Sequence, residues 1–365
     1  MDIKKNIKDL KIQHIFYSGL GGHGNVFFSL IKAQNSTLFK NEVLLYGIEK
    51  PRQEYIEKFK KNYINFKYVK KNKGIDFFFW FNIYKSLNKN NDIFFLHGSY
   101  NIIPVFIFSL IYKKKIIVRE TQANHLKSTI EWILLFFSFL FSNKIIFLSL
   151  DYENELKKKF KFLFPKTKTN IIPNGIDLDL YYKIKSKNSN NILKIGMLSR
   201  IVPIKDHKTL IKSICKISNK NIILSIAGEG ESTEYLKKLV ADLEMNNVIF
   251  EGLINSEQIP AYLKSLDIYV HATLGETMST SIMQAQASGL PIIATNVNGV
   301  NNVIIDNING LLVEKYNIDS YVEKINLLIN NENLRKKFAN ESLLYSKRLS
   351  NEIMADLYNE IMINL

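Results

Sequence analysis

Short runs of β-branched and aromatic residues alternate with helix-length stretches from one end of this chain to the other. That rhythm restricts it to a layered α/β fold. In the first half the strand-like runs are 12–18 (IQHIFYS), 42–48 (EVLLYGI), 92–97 (DIFFLH), 115–119 (KIIVR) and 144–149 (KIIFLS). Their continuous apolar character fits strands buried on both faces, as in parallel sheets, and the intervals are long enough for crossover helices. A polar stretch at 183–191 (KIKSKNSNN) breaks the pattern and reads as a linker. Alternation resumes at 193–198, 221–227, 247–250, 267–272 and 291–295. The expected architecture is therefore two doubly wound, Rossmann-like α/β domains over 1–182 and 192–348, with a C-terminal helix over 349–365 packing across their junction. Open parallel sheets bind ligands beyond the carboxyl ends of their strands, so two such domains facing each other would enclose one cleft.

Composition removes several function classes. A single cysteine, Cys215, excludes a disulfide scaffold and a thiolate zinc cluster, and fits a reducing compartment. The apolar runs 102–112 (IIPVFIFSLIY) and 132–142 (WILLFFSFLFS) fall short of the roughly 20 residues of a membrane span. Both read as buried helices of the core, with a membrane-surface role as the alternative. The opening MDIKKNIKDLKIQHIFYSGL lacks the apolar stretch of a signal peptide, so a cytoplasmic location is expected. The net charge is +15 and lies in one half: residues 1–180 hold 29 Lys+Arg against 15 Asp+Glu, and 181–365 hold 20 against 19. Such a field favours an anionic partner, although a solvated lysine-rich surface accounts for it too. Zinc-finger spacing, RNP-like strands and basic-zipper heptads are missing, and no nucleic-acid partner is expected.

Four stretches carry candidate chemistry, each with a plain structural alternative. Gly19-Leu20-Gly21-Gly22-His23-Gly24 follows the first strand and opens a helical stretch. Its glycines let backbone approach a ligand, and a helix N-terminus favours anions, but a ligand-free tight turn fits as well. Arg200 ends the strand GML-S-R and Lys205 precedes the next helix, so two cations converge where an anion would sit, unless both are merely surface charges. Ala227-Gly228-Glu229-Gly230 closes another strand as a ligand-approaching or ordinary turn. Glu276 precedes Thr277-Met278-Ser279-Thr280-Ser281, whose hydroxyls would cap a helix or leave its amides to a phosphate. Asp177 and Asp179 have metal-like spacing but sit in a turn-like stretch, H-E-x-x-H is absent, and no metal or cofactor is expected.

Taken together, G-x-x-S-R-x-x-x-x-K at 196–205, A-G-E-G at 227–230, and NVIFEGLI, DIYVHATLGET, QAQASGLPIIATNVNG and NGLLV within 247–313 resemble the donor-binding domain of the family-four, group 1 glycosyltransferases of the GT-B fold. Ile172-Pro173-Asn174-Gly175-Ile176-Asp177 and the loop from Gly19 to Gly24 are similar to further family stretches. The resemblance implies retaining, metal-independent transfer from a nucleotide-sugar, a UDP-sugar being favoured, to an acceptor hydroxyl. It implies that Arg200 and Lys205 hold the diphosphate, that Glu276 contacts donor-sugar hydroxyls, and that amides at Met278, Ser279 and Thr280 cradle the phosphates. Ile254 falls where the family's backbone meets the base, and Gly21, Gly22, Gly228 and Glu229 fall beside the donor. His97, His23 and Asn25 are the corresponding acceptor-side positions.

Two departures stand out. The second acid of the family's E-x7-E motif is Gln284, whose amide can accept a ribose hydroxyl but without charge. Where many members carry a histidine after the fifth strand, this chain has Glu120, which would contact the reacting sugar or the acceptor. The alternatives are a non-catalytic sugar-nucleotide-binding subunit or another GT-B enzyme such as an epimerase. Abundant Lys, Asn and Ile fit an AT-rich bacterium. The expected acceptor is accordingly a lipid-linked or surface glycan of polysaccharide, lipopolysaccharide or capsule synthesis, reached at the anionic inner face of the cytoplasmic membrane.

Overall fold

The protein is seen in a computed structural model that describes residues 9–19, 21–73, 76–124, 127–182, 192–219 and 221–365. It forms two compact α/β units, one of residues 1–175 with Asn351–Leu365, the other of Ile176–Ser350. In the first unit the strands are β1 (Leu10–Tyr17), β2 (Phe39–Gly47), β3 (Phe66–Lys70), β4 (Ile93–His97), β5 (Lys115–Arg119), β6 (Lys144–Phe147) and β7 (Thr169–Ile171). They form one parallel sheet in the order β3-β2-β1-β4-β5-β6-β7. Its helices are α1 (Gly21–Ala33), α2 (Gln53–Lys61), α3 (Phe77–Ser86), α4 (Ile102–Tyr112), α5 (Thr129–Phe141) and α6 (Leu150–Phe160).

The second unit repeats the plan. Strands β8 (Leu193–Leu198), β9 (Ile222–Ala227), β10 (Val248–Gly252), β11 (Ile268–His271), β12 (Ile292–Thr295) and β13 (Leu311–Val313) lie parallel in the order β10-β9-β8-β11-β12-β13. Helices α7 (Asp179–Tyr182), α8 (His207–Cys215), α9 (Thr233–Asp242), α10 (Ile259–Lys264), α11 (Thr280–Ala287), α12 (Ile318–Asn330) and α13 (Glu332–Ser346) complete it. Ile195, Met197, Leu224, Val270 and Ile293 from its strands meet Leu210, Ile214, Ile325 and Phe338 from its helices in one core.

Three strands lack the expected signal. In β3 (FKYVK) lysines interrupt the apolar run, because this edge strand is only half-buried. β7 and β13 are three residues each, too short to show a period. The unit boundaries also differ from those expected at 182, 192 and 348. The chain passes between units at Gly175–Ile176 and returns at Ser350–Asn351. The reason is local: the Ile176 amide bonds to the Leu349 carbonyl at 2.9 Å and the Tyr182 hydroxyl pairs with Ser346, so segment 176–182 is held by the end of α13 and by the short turn at 347–349. The expected linker, 183–191, lies outside the described residues. The final helix, α14 (Asn351–Ile363), seats Met354, Ala355, Tyr358 and Met362 among Ile12, Val26, Leu30 and Phe95 of the first unit. The apolar runs at 102–112 and 132–142 form α4 and α5, but only one side of each is buried; Ile107, Leu110, Ile133 and Leu140 are exposed.

Candidate functional site

In the second unit the strand order turns between β8 and β11, and open parallel sheets bind ligands at such a turning point. The loops after these two strands carry Arg200, Lys205 and Glu276. Backbone bonds zip them together. Leu274 donates its amide to the Ile204 carbonyl at 2.8 Å, and the Thr273 hydroxyl donates to the same oxygen. The loop after β9 closes from the other side: Ser199 bonds to Ala227 and Ile201 to Glu229. Gly228 sits there at φ +133°, and a β-carbon on it would lie 1.9 Å from the Ser199 carbonyl oxygen. The bareness of this glycine therefore serves the neighbouring loop. Gly299, at φ +83°, gives the same close passage to the Glu276 backbone.

Within this frame Lys205 forms an ion pair with Glu276 Oε1, and His271 Nε2 lies 2.9 Å from the same oxygen. A carboxylate only accepts, so His271 donates from Nε2, and its Nδ1 lies 3.2 Å from the Tyr269 hydroxyl, whose one proton also faces the Leu198 carbonyl at 3.2 Å. Burial would raise the Glu276 pKa, but the Lys205 charge and the hydrogen bonds from His271 and Lys205 outweigh it and hold the carboxyl down to about 2. Burial keeps His271 neutral, below its ordinary value. Oε1 is thus the structural oxygen. Oε2 accepts no hydrogen bond among the described residues, and the side chain keeps 13% of its surface exposed.

The same histidine frees a helix end. Ser279 occupies the N-cap of α11, yet its hydroxyl makes no capping bond and lies 3.3 Å from His271 Nε2. The Ser279 amide, expected to meet a phosphate, is donated to the Gly299 carbonyl at 3.4 Å; the first amides within α11 have no intrahelical acceptor and, among the described residues, face an anion's place aided by the helix dipole. Thr280 is half-buried and Met278 buried at this end. Arg200 is exposed and its side chain makes no ion pair or hydrogen bond among the described residues. Glu229 is exposed and Ile254 half-buried. Gln284 is only 6% exposed, and its amide is hydrogen-bonded to the buried Tyr181 hydroxyl of α7. The amide expected to meet a ribose is therefore already engaged, because α7 packs on α11.

The first unit answers the expectations differently. Gly21, Gly22, His23 and Asn25 fall in the first turn of α1, with His23 and Gly22 exposed. Glu120, just past β5, is buried, and both its oxygens are used: Ser99 and the Gln122 amide donate at 2.9 and 3.1 Å, and Lys127 lies 3.4 Å away. His97 belongs to a partly buried polar chain that sequence inspection misses. Arg119 donates to His97 Nδ1 at 3.3 Å, His97 Nε2 meets His14 Nδ1 at 3.1 Å, and His14 Nε2 meets Asn41 Oδ1 at 2.9 Å. Asn41 then donates to Gln34, and Gln34 to Asn359 of α14. Every donor points the same way, which requires both histidines to be neutral with the proton on Nε2. Of the missed residues, His14, Asn41, Arg119 and His271 are polar residues on strands, whereas Gln34 follows α1 and Asn359 lies on α14. For the strand residues, a polar residue inside an apolar run is the sequence signal available.

These buried histidines make stability pH-dependent. Burial lowers the His14 pKa to about 4 and that of His207 to about 3, from an unfolded value of 6.5. Each binds its proton in the unfolded chain first, so stability is complete above 6.5 and is lost as the pH falls toward 4 and 3. By about pH 5 the loss is of order 2 kcal/mol per histidine. Glu276 adds a further loss below 4.5. Urea unfolding across this range should show midpoints falling with acid; a flat profile would contradict the neutral assignments.

Known proteins resemble this chain both in sequence and in fold. A profile described as glycosyl transferases group 1 matches residues 179–343. An uncharacterised glycosyltransferase of Methanocaldococcus jannaschii is 30% identical over 266 residues, covering 68% of each chain. The UDP-Gal:alpha-D-GlcNAc-diphosphoundecaprenol alpha-1,3-galactosyltransferase of Escherichia coli is 28% identical over 269 residues, covering 67% of each. An Anabaena protein crystallised with UDP and glucose superposes with a TM-score of 0.84 at 17% identity, over 98% of this chain and all of that one.

Proposed function

Because this chain belongs to the group 1 glycosyltransferases, we propose that it transfers a sugar from a UDP-sugar, with retention at the anomeric carbon, to a hydroxyl of a lipid-linked glycan. The observation that carries the reading is the Lys205–Glu276–His271 cluster beside the uncapped end of α11. In this reading the bond between the sugar and the diphosphate breaks, the acceptor oxygen bonds to the same face of the anomeric carbon, and the acceptor proton leaves on the departing diphosphate. Lys205, Arg200 and the α11 amides offset the charge that builds on the leaving group, a preorganised electrostatic effect. Glu276 Oε2 receives donor-sugar hydroxyls while Oε1 keeps the frame. A lipid-linked acceptor is supported by the Escherichia coli relative, whose name specifies one.

The test is UDP release, together with mass and NMR anomeric couplings of the products, from a panel of UDP-sugars with undecaprenyl-diphosphate-linked acceptors. Turnover with retained configuration is expected; binding without turnover would select a non-catalytic subunit, and turnover without acceptor an epimerase. Arg200→Ala should lower kcat/KM by about 100-fold with unchanged thermal stability, because the side chain is exposed. Wild-type kcat/KM in that variant would remove Arg200 from the site.

A further inference from the structure

Helices α3, α4 and α5 lie side by side on one face of the first sheet, with Phe79, Ile83, Val105, Phe108 and Leu134 turned into the core. Their opposite sides are also apolar. On α3, Phe78 and Phe81 are exposed, Phe78 to 82%. On α4, Ile107, Leu110 and Ile111 follow at helical spacing, Leu110 exposed to 69%. On α5, Ile130, Ile133 and Leu140 continue the stripe. Monomeric proteins rarely leave so many large apolar side chains together in water, and such a patch marks an interaction surface. α4 contains no charged residue, and the one acid on α5, Glu131, is engaged in the Ser128 capping box.

The rim identifies the occupant. Lys85 Nζ lies over the Phe81 ring at 4.2 Å and Lys159 Nζ over the Trp132 ring at 4.0 Å, so cations sit against the aromatic rings of α3 and α5. Lys113, Lys114 and Lys115 follow directly on α4. A partner protein of mixed charge would call for acids among these lysines, whereas an anionic lipid surface calls for an apolar band edged by cations. No described helix is long and apolar enough to cross a membrane, so the band would lie on the bilayer.

We propose that the outer face of α3, α4 and α5 docks this protein onto an anionic lipid bilayer. The proposal rests on the lipid-linked acceptor reading, for which it supplies the surface that brings the protein to its acceptor. The test is sedimentation of the full chain with vesicles of phosphatidylcholine mixed with phosphatidylglycerol, beside vesicles of phosphatidylcholine alone. Binding to the anionic vesicles, weakened by salt, is expected. Leu110→Gln combined with Ile111→Gln should lower that partition about tenfold or more. Lys85→Glu combined with Lys113→Glu should abolish the preference for anionic vesicles. All four residues are exposed, and unchanged urea midpoints would certify the variants. Absence of wild-type binding, or wild-type partition in both variants, overturns the proposal. So does loss of self-association in place of lipid binding, which would assign the face to a second copy of the chain. Calorimetric UDP binding in the same samples separates the two readings: intact UDP binding without docking sinks only the docking surface, while absent UDP binding sinks the sugar-transfer reading.

Discussion

Lys205→Ala is expected to lower turnover by roughly 10²–10³ and to destabilise the second unit at the same time. The first effect comes from removing a preorganised cation at the place proposed for the leaving diphosphate. The second comes from the ion pair: Glu276 would keep its burial and lose its counter-charge. Breaking a buried pair on one side costs about 3–5 kcal/mol. His271 still donates to Glu276 Oε1, and the carboxylate is partly exposed, which places the cost at the lower end of that range. The two effects are separable. Adding Glu276→Gln to Lys205→Ala should restore most of the stability, since no uncompensated charge remains, without restoring turnover. Urea unfolding and UDP release on the four members of this cycle make the measurement. Stability loss that persists undiminished in the double variant would mean that packing, and not charge, is what Lys205 supplies.

Gly228→Ala should be nearly as damaging for a reason that involves no ligand. The backbone there has φ +133°, and the new methyl would sit 1.9 Å from the Ser199 carbonyl oxygen. Neither strain can be relieved by a side-chain rotation, because the obstacle is main chain. A cost of about 3–5 kcal/mol is expected. The loop that yields is the one carrying Arg200, so kcat/KM should fall along with the unfolding midpoint. A variant with wild-type stability would show that the two loops do not need their present closeness.

The histidines explain why part of the site escapes inspection of the chain. Glu276 and Lys205 can be singled out because each belongs to a motif at a strand end. His271, which joins the carboxylate to Tyr269 and draws the Ser279 hydroxyl away from the α11 cap, is one polar residue in a buried strand. Nothing in IYVH distinguishes a histidine that organises a site from one that fills a core. Gln284 is the converse case. Its spacing from Glu276 marks it, but its partner, Tyr181, lies in a different stretch of the chain and becomes its neighbour only through the packing of α7 on α11.

Apolar periodicity was enough to establish two parallel α/β sheets, most of their strands, and the strand-end loops where chemistry would gather, because strand formation and helix length are written in short stretches. The pairing of charges was settled by packing. Lys205 found Glu276, Glu120 found Lys127, and Gln284 found Tyr181 across loops and helices that only the folded chain brings together. The same holds for the outer faces of α4 and α5, whose runs look uniformly apolar in sequence. Only the tertiary arrangement decides which side of such a helix meets the core and which is left for something else, since burial is a property of neighbours and not of the residue itself.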